Sequence, residues 1–314
     1  MAIVASCSTN KLQYPEAPAD NTVDDYFGVQ VADPYRPLEN DTSAATLKWV
    51  EEERALTESY LSKIPFRKDI RERLKTLYDY KKPGMPSKKD GWYYFYENDG
   101  LQNQSVLYRT RSLDDKPEVF LDPNKLSDDG TVALTGISTS NDGKYTAYTI
   151  SRSGSDWTEI YVMDTETKEL LPDHIEWAKF TDAAWQGDGF YYSAYDKPVD
   201  GKEFSHANEN HRVYYHKIGT PQSDDKLVYE DKDHPLHFHS ASVPDDESAL
   251  IIYGGGEGLG SSITMKSLKD PNAKWVTVEP SQDYDISILD IIDGTMYIYT
   301  NYGAPRYRLM TASV

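Results

Sequence analysis

A chain of 314 residues with 33 Lys+Arg, 52 Asp+Glu, a formal net charge of −19 and 38% hydrophobic residues is long enough to bury one large core or two ordinary ones. No run approaches the roughly 18 consecutive apolar residues of a membrane-spanning helix, and so acidic a surface without a basic stripe excludes nucleic acid as a partner. The single Cys7 excludes an intrachain disulfide framework and a multi-thiolate zinc site, while 25 Tyr, 19 Gly and 17 Pro point to many short strands and turns.

Residues 1–13 read as a polar tether or the remnant of a signal. Val4-Ala5-Ser6-Cys7 fits the pattern used in bacterial lipoprotein processing, yet only Met1-Ala2-Ile3 stand where an apolar h-region belongs. A lipidated Cys7 places the chain at the cell envelope or periplasm; a chance tetrapeptide leaves it in the cytoplasm.

Residues 14–83 form an N-terminal segment with two amphipathic helices. Across 41–64, Leu47, Val50, Leu61 and Ile64 share one side and Glu51 to Arg54 another, with Asp41 or Thr42 as N-cap and Pro65 as the stop. A second helix runs from Phe66 to about Tyr78, with Ile70, Leu74, Leu77 and Tyr78 on its apolar face.

Beyond Pro83 the period changes to two. Asp90-Gly91, Asp142-Gly143, Asp188-Gly189, Asp246-Glu247 and Asp293-Gly294 each precede a Tyr-rich strand, and Asp-Gly accepts the positive φ of a two-residue hairpin. Each unit offers a third strand, and the first four a further one, Glu118 to Leu121, Lys168 to Leu171, Lys226 to Tyr229 and Trp275 to Val278. Antiparallel strands in fours, repeated about every 50 residues, mark the blades of a β-propeller. The expected class is therefore mainly β: about four and a half blades, near 84–135, 136–177, 178–235, 236–285 and 286–314, after the helical segment. The last unit ends after its third strand, so the ring reads as incomplete.

Several motifs invite chemistry. Gly254-Gly255-Gly256-Glu257-Gly258-Leu259-Gly260 has no Lys-Ser/Thr, departs from G-x-G-x-x-G at Leu259 and joins two strands, so it reads as a hairpin loop rather than a phosphate cradle. His234, His237 and His239, with Asp231 or Asp233, are metal-ligand types, but a short run does not ensure converging geometry, and turn and strand histidines with no metal are expected. No G-x-S-x-G elbow occurs, and Ser8-Thr9-Asn10-Lys11 lies in the tether without partner motifs, so no catalytic serine site is expected. Asp182 and Asp290 fall on expected innermost strands, the placement of acidic pairs in propeller glycosidases; channel carboxylates without catalysis are the simpler reading.

Other residues carry a family resemblance. Asp33-Pro34-Tyr35 with Leu38-Glu39, Leu77-Tyr78-Asp79-Tyr80, Gly100-Leu101-Gln102-Asn103-Gln104, Leu121 to Leu134 and Ser153-Gly154-Ser155-Asp156-Trp157 resemble the N-terminal part of prolyl oligopeptidase. Tyr214-Tyr215-His216 and Tyr307-Arg308-Leu309 extend the likeness over about Tyr14 to Val314. The resemblance implies a seven-bladed propeller that caps an α/β-hydrolase domain, which holds the catalytic Ser, Asp and His and cleaves short peptides after proline. It implies no cofactor, no catalytic residue in this chain, no activity of the chain alone, and a C-terminal hydrolase domain and short proline-containing peptides as partners. Phe180 resembles a pocket-edge phenylalanine of the family, Phe238 falls at another apolar pocket position, and Lys266 stands where a small or thiol-bearing residue is found in some members. The segment from Asp196 to His211, with Gly201, Ser205 and Asn208, resembles a mobile interface loop. The alternative from another class is a self-contained binding propeller closed by five blades.

Overall fold

The computed structural model describes residues 12–199, 203 and 207–314; Cys7, Gly201 and Ser205, singled out above, lie outside the described residues. The chain divides into two compact units, Met1–Asp79 with Pro198–His206, and Tyr80–Lys197 with Ala207–Val314.

In the first unit a hairpin pairs Val23–Tyr26 with Val29–Ala32, turning at Phe27 and Gly28, both at positive φ. Arg36 ties this hairpin to the following turn through Asp24 and Asp33. Helix α1 spans Ala44–Leu61 and helix α2 Arg67–Tyr78. The N-cap of α1 is Ser43 rather than Asp41 or Thr42: its Oγ accepts the Thr46 N–H at 3.1 Å, while Asn40 holds Thr42 in a preceding turn. Leu47, Val50, Ile70, Leu74, Leu77 and Tyr78 are exposed, so the apolar stripes lie open.

The second unit is a succession of antiparallel sheets. Sheet 1 pairs Lys82–Pro83 and Ser87–Lys89 with Trp92–Asn98, then adds Val106–Thr110 and Glu118–Leu121. Sheet 2 runs through Val132–Thr139, Tyr145–Arg152, Thr158–Asp164 and Leu170–Ala178, and sheet 3 through Ala184–Gln186, Gly189–Ala194, Arg212–Lys217 and Lys226–Glu230. These two touch edge to edge only at Ala178 and Ala194. Sheet 4 comprises Phe238–Ser242, Ala249–Gly255, Ser262–Ser267 and Val276–Glu279; sheet 5 comprises Ile286–Ile292, Thr295–Thr300 and Arg308–Ser313.

The hairpin signals resolve unequally. Asp90 with Gly91, and Asp293 with Gly294, are two-residue turns at positive φ, as type I′ requires. In sheet 3 Gln186 pairs with Gly189, so the turn is Gly187-Asp188 instead of Asp188-Gly189. Gly189 belongs to the strand, where it pairs with Lys217, and a Cβ there would stand 2.1 Å from the His216 carbonyl oxygen, so the position admits only glycine. The outer strand of sheet 2 begins at Leu170, since Lys168 adopts φ 64° within the preceding turn.

Period-two alternation sends alternate side chains to opposite faces, and each face meets the next sheet. Leu107 and Phe120 of sheet 1 pack with Tyr148, Ile150 and Met163 of sheet 2. Ala147, Ile160, Val162 and Ile175, on the other face of sheet 2, pack with Trp185, Phe190 and Tyr192 of sheet 3. Tyr191 and Val213 then meet Leu250 and Ile252 of sheet 4, whose Ala249, Ile251 and Ile263 turn to Ile291 and Met296 of sheet 5. Among the described residues no apolar cluster joins sheet 5 back to sheet 1, as a closed five-bladed ring requires.

Two buried cations pin these faces in register. Arg109 of sheet 1 is held by Glu118 at 2.6 Å, reaches the Thr165 and Glu166 carbonyls at a turn of sheet 2, and lies over the rings of Trp92 and Phe120. Its hydrogen bond keeps the Glu118 carboxyl below the usual carboxylate range. His216 of sheet 3 is fully buried, with Nε2 at 3.0 Å from Asp173 Oδ1 of sheet 2 and Nδ1 at 2.8 Å from Asp225 Oδ1. Tyr192 donates to the other oxygen of Asp225 at 2.7 Å, and the Gly219 N–H donates to Asp173 at 2.5 Å. A carboxylate at each nitrogen favours the imidazolium form, in which both N–H groups donate. Burial opposes that charge, but Asp225 and then Asp173 outweigh it and hold the pKa above the ordinary histidine value.

A raised folded-state pKa contributes stability that is complete below the unfolded value of about 6.5 and is lost as pH rises through the folded value. The urea midpoint is therefore expected to fall as pH is raised from near neutrality into the alkaline range. His216→Ala, which leaves two carboxylates buried without their cation, is expected to cost about 3–5 kcal/mol and to flatten that slope; both are read from urea titrations at a series of pH values.

Candidate functional site

The two phenylalanines singled out from the sequence come together. Phe180 sits on the crossover from the outer strand of sheet 2 to the inner strand of sheet 3, and Phe238 opens sheet 4. Their rings lie 5.4 Å apart, tilted by 49°, and both are substantially exposed, Phe180 at 52% and Phe238 at 41%. This exposed aromatic pair has no part in the sheet cores.

The backbone beneath enforces this display. Phe180 has φ 51°, an unusual conformation for a bulky residue. It is braced on both sides, by the Lys179 N–H donating to Ser193 O and by the Ser193 N–H donating to Thr181 Oγ1 at 2.8 Å. Phe238 pairs with Gly255, where a Cβ would stand 2.6 Å from the phenylalanine ring, so glycine is required for the ring to lie flat on that strand.

Under the pair lies a buried histidine couple. His211 Nε2 donates to the Lys179 carbonyl at 3.0 Å, and its Nδ1 accepts the His239 N–H at 2.8 Å, which fixes the tautomer. Burial pushes the His211 pKa down to about 4 and also lowers that of His239, so both rings are neutral near pH 7. His211 also meets Phe180 edge-on and lies 4.3 Å from the Tyr195 ring. The Lys179 ammonium stands over Trp157, the last residue of the Ser153 to Trp157 motif, at 4.9 Å and over Phe180 at 5.3 Å.

Aromatic contacts continue from His239 to Tyr229 and Trp275, and Lys266 places its ammonium 4.8 Å from the Trp275 ring. Lys266 thus covers a tryptophan packed between sheets 3 and 4. The tautomer-locked histidines and the lysine cap were not foreseen from sequence. The signal was the spacing of His237, Phe238 and His239, which on a strand puts Phe238 on the face opposite His239.

The histidine run divides. His239 joins the couple beneath the phenylalanines, whereas Asp231, His234 and His237 bring one ligand atom each to within 4.8 Å of one another. Burial opposes ionisation of Asp231, yet His234 and the Asp233 and His234 amides outweigh it and keep the carboxyl below its ordinary range. The glycine-rich run is a hairpin loop between strands of sheet 4. Gln282 Oε1 accepts the Glu257 and Gly258 N–H groups at 2.8 and 3.0 Å, and Cβ atoms at Gly258 and Gly260 would collide with the backbone of Gln282 and Tyr284.

Of the two aspartates expected on innermost strands, Asp290 lies on one and Asp182 does not. Asp182 lies exposed in the loop before Ala184–Gln186 and not on a strand, where Gly136 leaves it room, and desolvation raises its pKa. Asp290 sits at a bulge on Ile286–Ile292, its Oδ1 accepting the Ile291 N–H at 2.8 Å. A cleft of about 370 Å³ between sheets 1 and 2, lined by Met85, Tyr94, Phe95 and Ile137 among others, contains neither aspartate and neither phenylalanine.

The family model described as "Prolyl oligopeptidase, N-terminal beta-propeller domain" matches residues 14–314. Prolyl endopeptidase of Elizabethkingia miricola is 40% identical over 314 residues, covering 100% of this chain and 44% of that protein. Prolyl oligopeptidase A of Galerina marginata is 34% identical over 340 residues, covering 96% and 46%. Among solved structures, prolyl oligopeptidase B from Galerina marginata bound to a 35mer hydrolysis and macrocyclization substrate aligns with a TM-score of 0.81 at 30% identity, over 96% of this chain and 46% of that one. The chain thus spans somewhat less than half the length of these relatives, and the part it matches is the propeller. On its sheets, its motifs and these likenesses, the chain belongs to the prolyl oligopeptidase family and corresponds to its N-terminal β-propeller portion.

Proposed function

We propose that this chain acts as the size-limiting cap of a prolyl-oligopeptidase-type serine endopeptidase, with Phe180 and Phe238 forming the propeller side of the pocket for residues preceding the cleaved proline. The carrying observation is the exposed Phe180–Phe238 pair, braced by a buried, uncharged histidine couple and a strained backbone. An apolar rim supplies contact area to a peptide without charge, and its preorganisation lowers the entropic cost of binding.

The chemistry belongs to an α/β-hydrolase domain that follows the propeller in the relatives. A nucleophile, a general base and an oxyanion hole are needed to open an amide, and these 314 residues contain no G-x-S-x-G elbow. The exposed apolar stripes of α1 and α2, with Leu47, Val50, Ile70 and Leu74, are the proposed surface for that domain. Short proline-containing peptides are the proposed substrates. No described helix is long and apolar enough to cross a membrane.

Purified alone, the 314-residue chain is expected to release no chromophore from a succinyl-Gly-Pro reporter; serine-dependent release would overturn the assignment of roles. Fused in place of the matching part of the Elizabethkingia prolyl endopeptidase, the chain is expected to support cleavage after proline. In that fusion Phe180→Ala should lower kcat/KM roughly tenfold, chiefly through KM, the scale of one lost apolar contact. An unchanged KM with an extended tetrapeptide reporter would remove Phe180 from the pocket.

A further inference from the structure

The crossover between sheets 3 and 4 carries a cluster that the peptidase reading does not use. Asp231, His234 and His237 lie on the segment joining Lys226–Glu230 to Phe238–Ser242. Asp231 Oδ1 is committed to the backbone, accepting the Asp233 and His234 N–H groups at 3.1 and 3.3 Å. Its other oxygen faces both imidazoles, at 2.9 Å from His234 Nδ1 and 3.9 Å from His237 Nδ1. A turn closed by the His237 N–H donating to His234 O stacks the two rings at 4.6 Å and 8°. The Nδ1 atoms of both rings therefore converge on one carboxylate oxygen.

Two imidazole nitrogens and a carboxylate oxygen form a donor set suited to zinc. Bonds of about 2.0–2.2 Å to a tetrahedral ion separate ligand atoms by roughly 3.3–3.6 Å; the carboxylate–imidazole distances of 2.9 and 3.9 Å bracket that range, and with all three ligand atoms within 4.8 Å of one another, rotation of the exposed His234 ring out of the stack completes the set. His237 is buried, and its far nitrogen, Nε2, lies 3.2 Å from Glu257 Oε1 and 3.5 Å from Gln282 Nε2. A carboxylate on the outer nitrogen of a ligating histidine orients the ring and raises its basicity. Glu257 reaches that position because Gln282 holds the glycine-rich loop from the other side. The His234 side chain is half exposed and leaves a fourth position open to water.

We propose that Asp231, His234 and His237 bind a zinc-class divalent ion, with Glu257 as the outer partner of His237, clamping the crossover immediately ahead of Phe238. The site rests on this chain's own residues and stands whether or not the chain caps a peptidase.

The test titrates Zn²⁺ into the chelator-treated 314-residue chain against a chromophoric competitor, and Co²⁺ as a spectroscopic probe. One Zn²⁺ per chain is expected, with Co²⁺ giving the visible bands of a tetrahedral site and Zn²⁺ raising Tm. His234→Ala and His237→Ala should abolish stoichiometric binding, and Glu257→Gln should weaken it roughly tenfold. His174→Ala and Cys7→Ser should leave it intact. Circular dichroism melting checks that the variants fold; should the histidine variants fail to, the exposed Glu257→Gln carries the test. Absence of stoichiometric binding by the unaltered chain, full affinity in His234→Ala or Glu257→Gln, or loss of binding in Cys7→Ser would overturn the proposal.

Discussion

A β-sheet with apolar residues on both faces cannot stand alone in water, and in this chain every strand of period two is a demand for a neighbour. Leu250 and Ile252 point one way from a strand of sheet 4 while Ala249 and Ile251 point the other, so one strand serves two interfaces. The same division occurs in sheet 3, between Phe190 with Tyr192 and Tyr191. Burying each leucine, isoleucine or phenylalanine among them contributes about 1.5–3 kcal/mol, and a register slip of one residue would exchange the two faces. Register is therefore the constraint on which the rest depends. The glycine at 189, the imidazolium at 216 and the guanidinium at 109 all act on it.

Crossovers between sheets are where this chain departs from regularity, and they hold both functional candidates. The chain must leave an outer edge, return to an inner one and turn sharply, which concentrates unusual backbone and unpaired surface in a few residues. Phe180 is raised on one crossover and Phe238 on the next. The Asp231 to His237 segment forms the body of the second. Because His237 and His239 flank Phe238, one strand entry couples an aromatic rim to a cluster of metal-ligand type on one side and to a tautomer-locked histidine on the other.

Much of the fold was legible because its determinants are local. Asp90-Gly91 and Asp293-Gly294 carry their turns in their own sequence, and the tyrosine-rich strands after them alternate plainly. Misreadings arose where a distant group decides. Asp188-Gly189 looks like a turn, but Gly189 pairs with Lys217 in the strand and is glycine because the His216 backbone lies against it. The alternation puts Asp182 on a strand, yet it lies in the loop ahead of Ala184–Gln186, with its carboxylate in the space that a Cβ at Gly136 would fill. Phe180 and Phe238, 58 positions apart, were singled out through a family resemblance; their mutual contact depends on two sheets packing. The convergence of Asp231 with His234 and His237 was illegible because it depends on a turn between the two histidines that brings their rings into stack.

Hydrogen exchange on the isolated chain, read strand by strand, tests the stacked-sheet account most directly, since protection reports the cost of opening each interface. Sheets 2, 3 and 4 are covered on both faces and should exchange slowest, with their slowest amides in Tyr145–Arg152, Gly189–Ala194 and Ala249–Gly255. Sheets 1 and 5, each of which among the described residues joins an apolar cluster on one face only, with sheet 2 and sheet 4 respectively, should exchange faster. Uniform protection across all sheets, or fastest exchange in sheet 3, would contradict the claim that face-to-face burial between consecutive sheets holds this chain together.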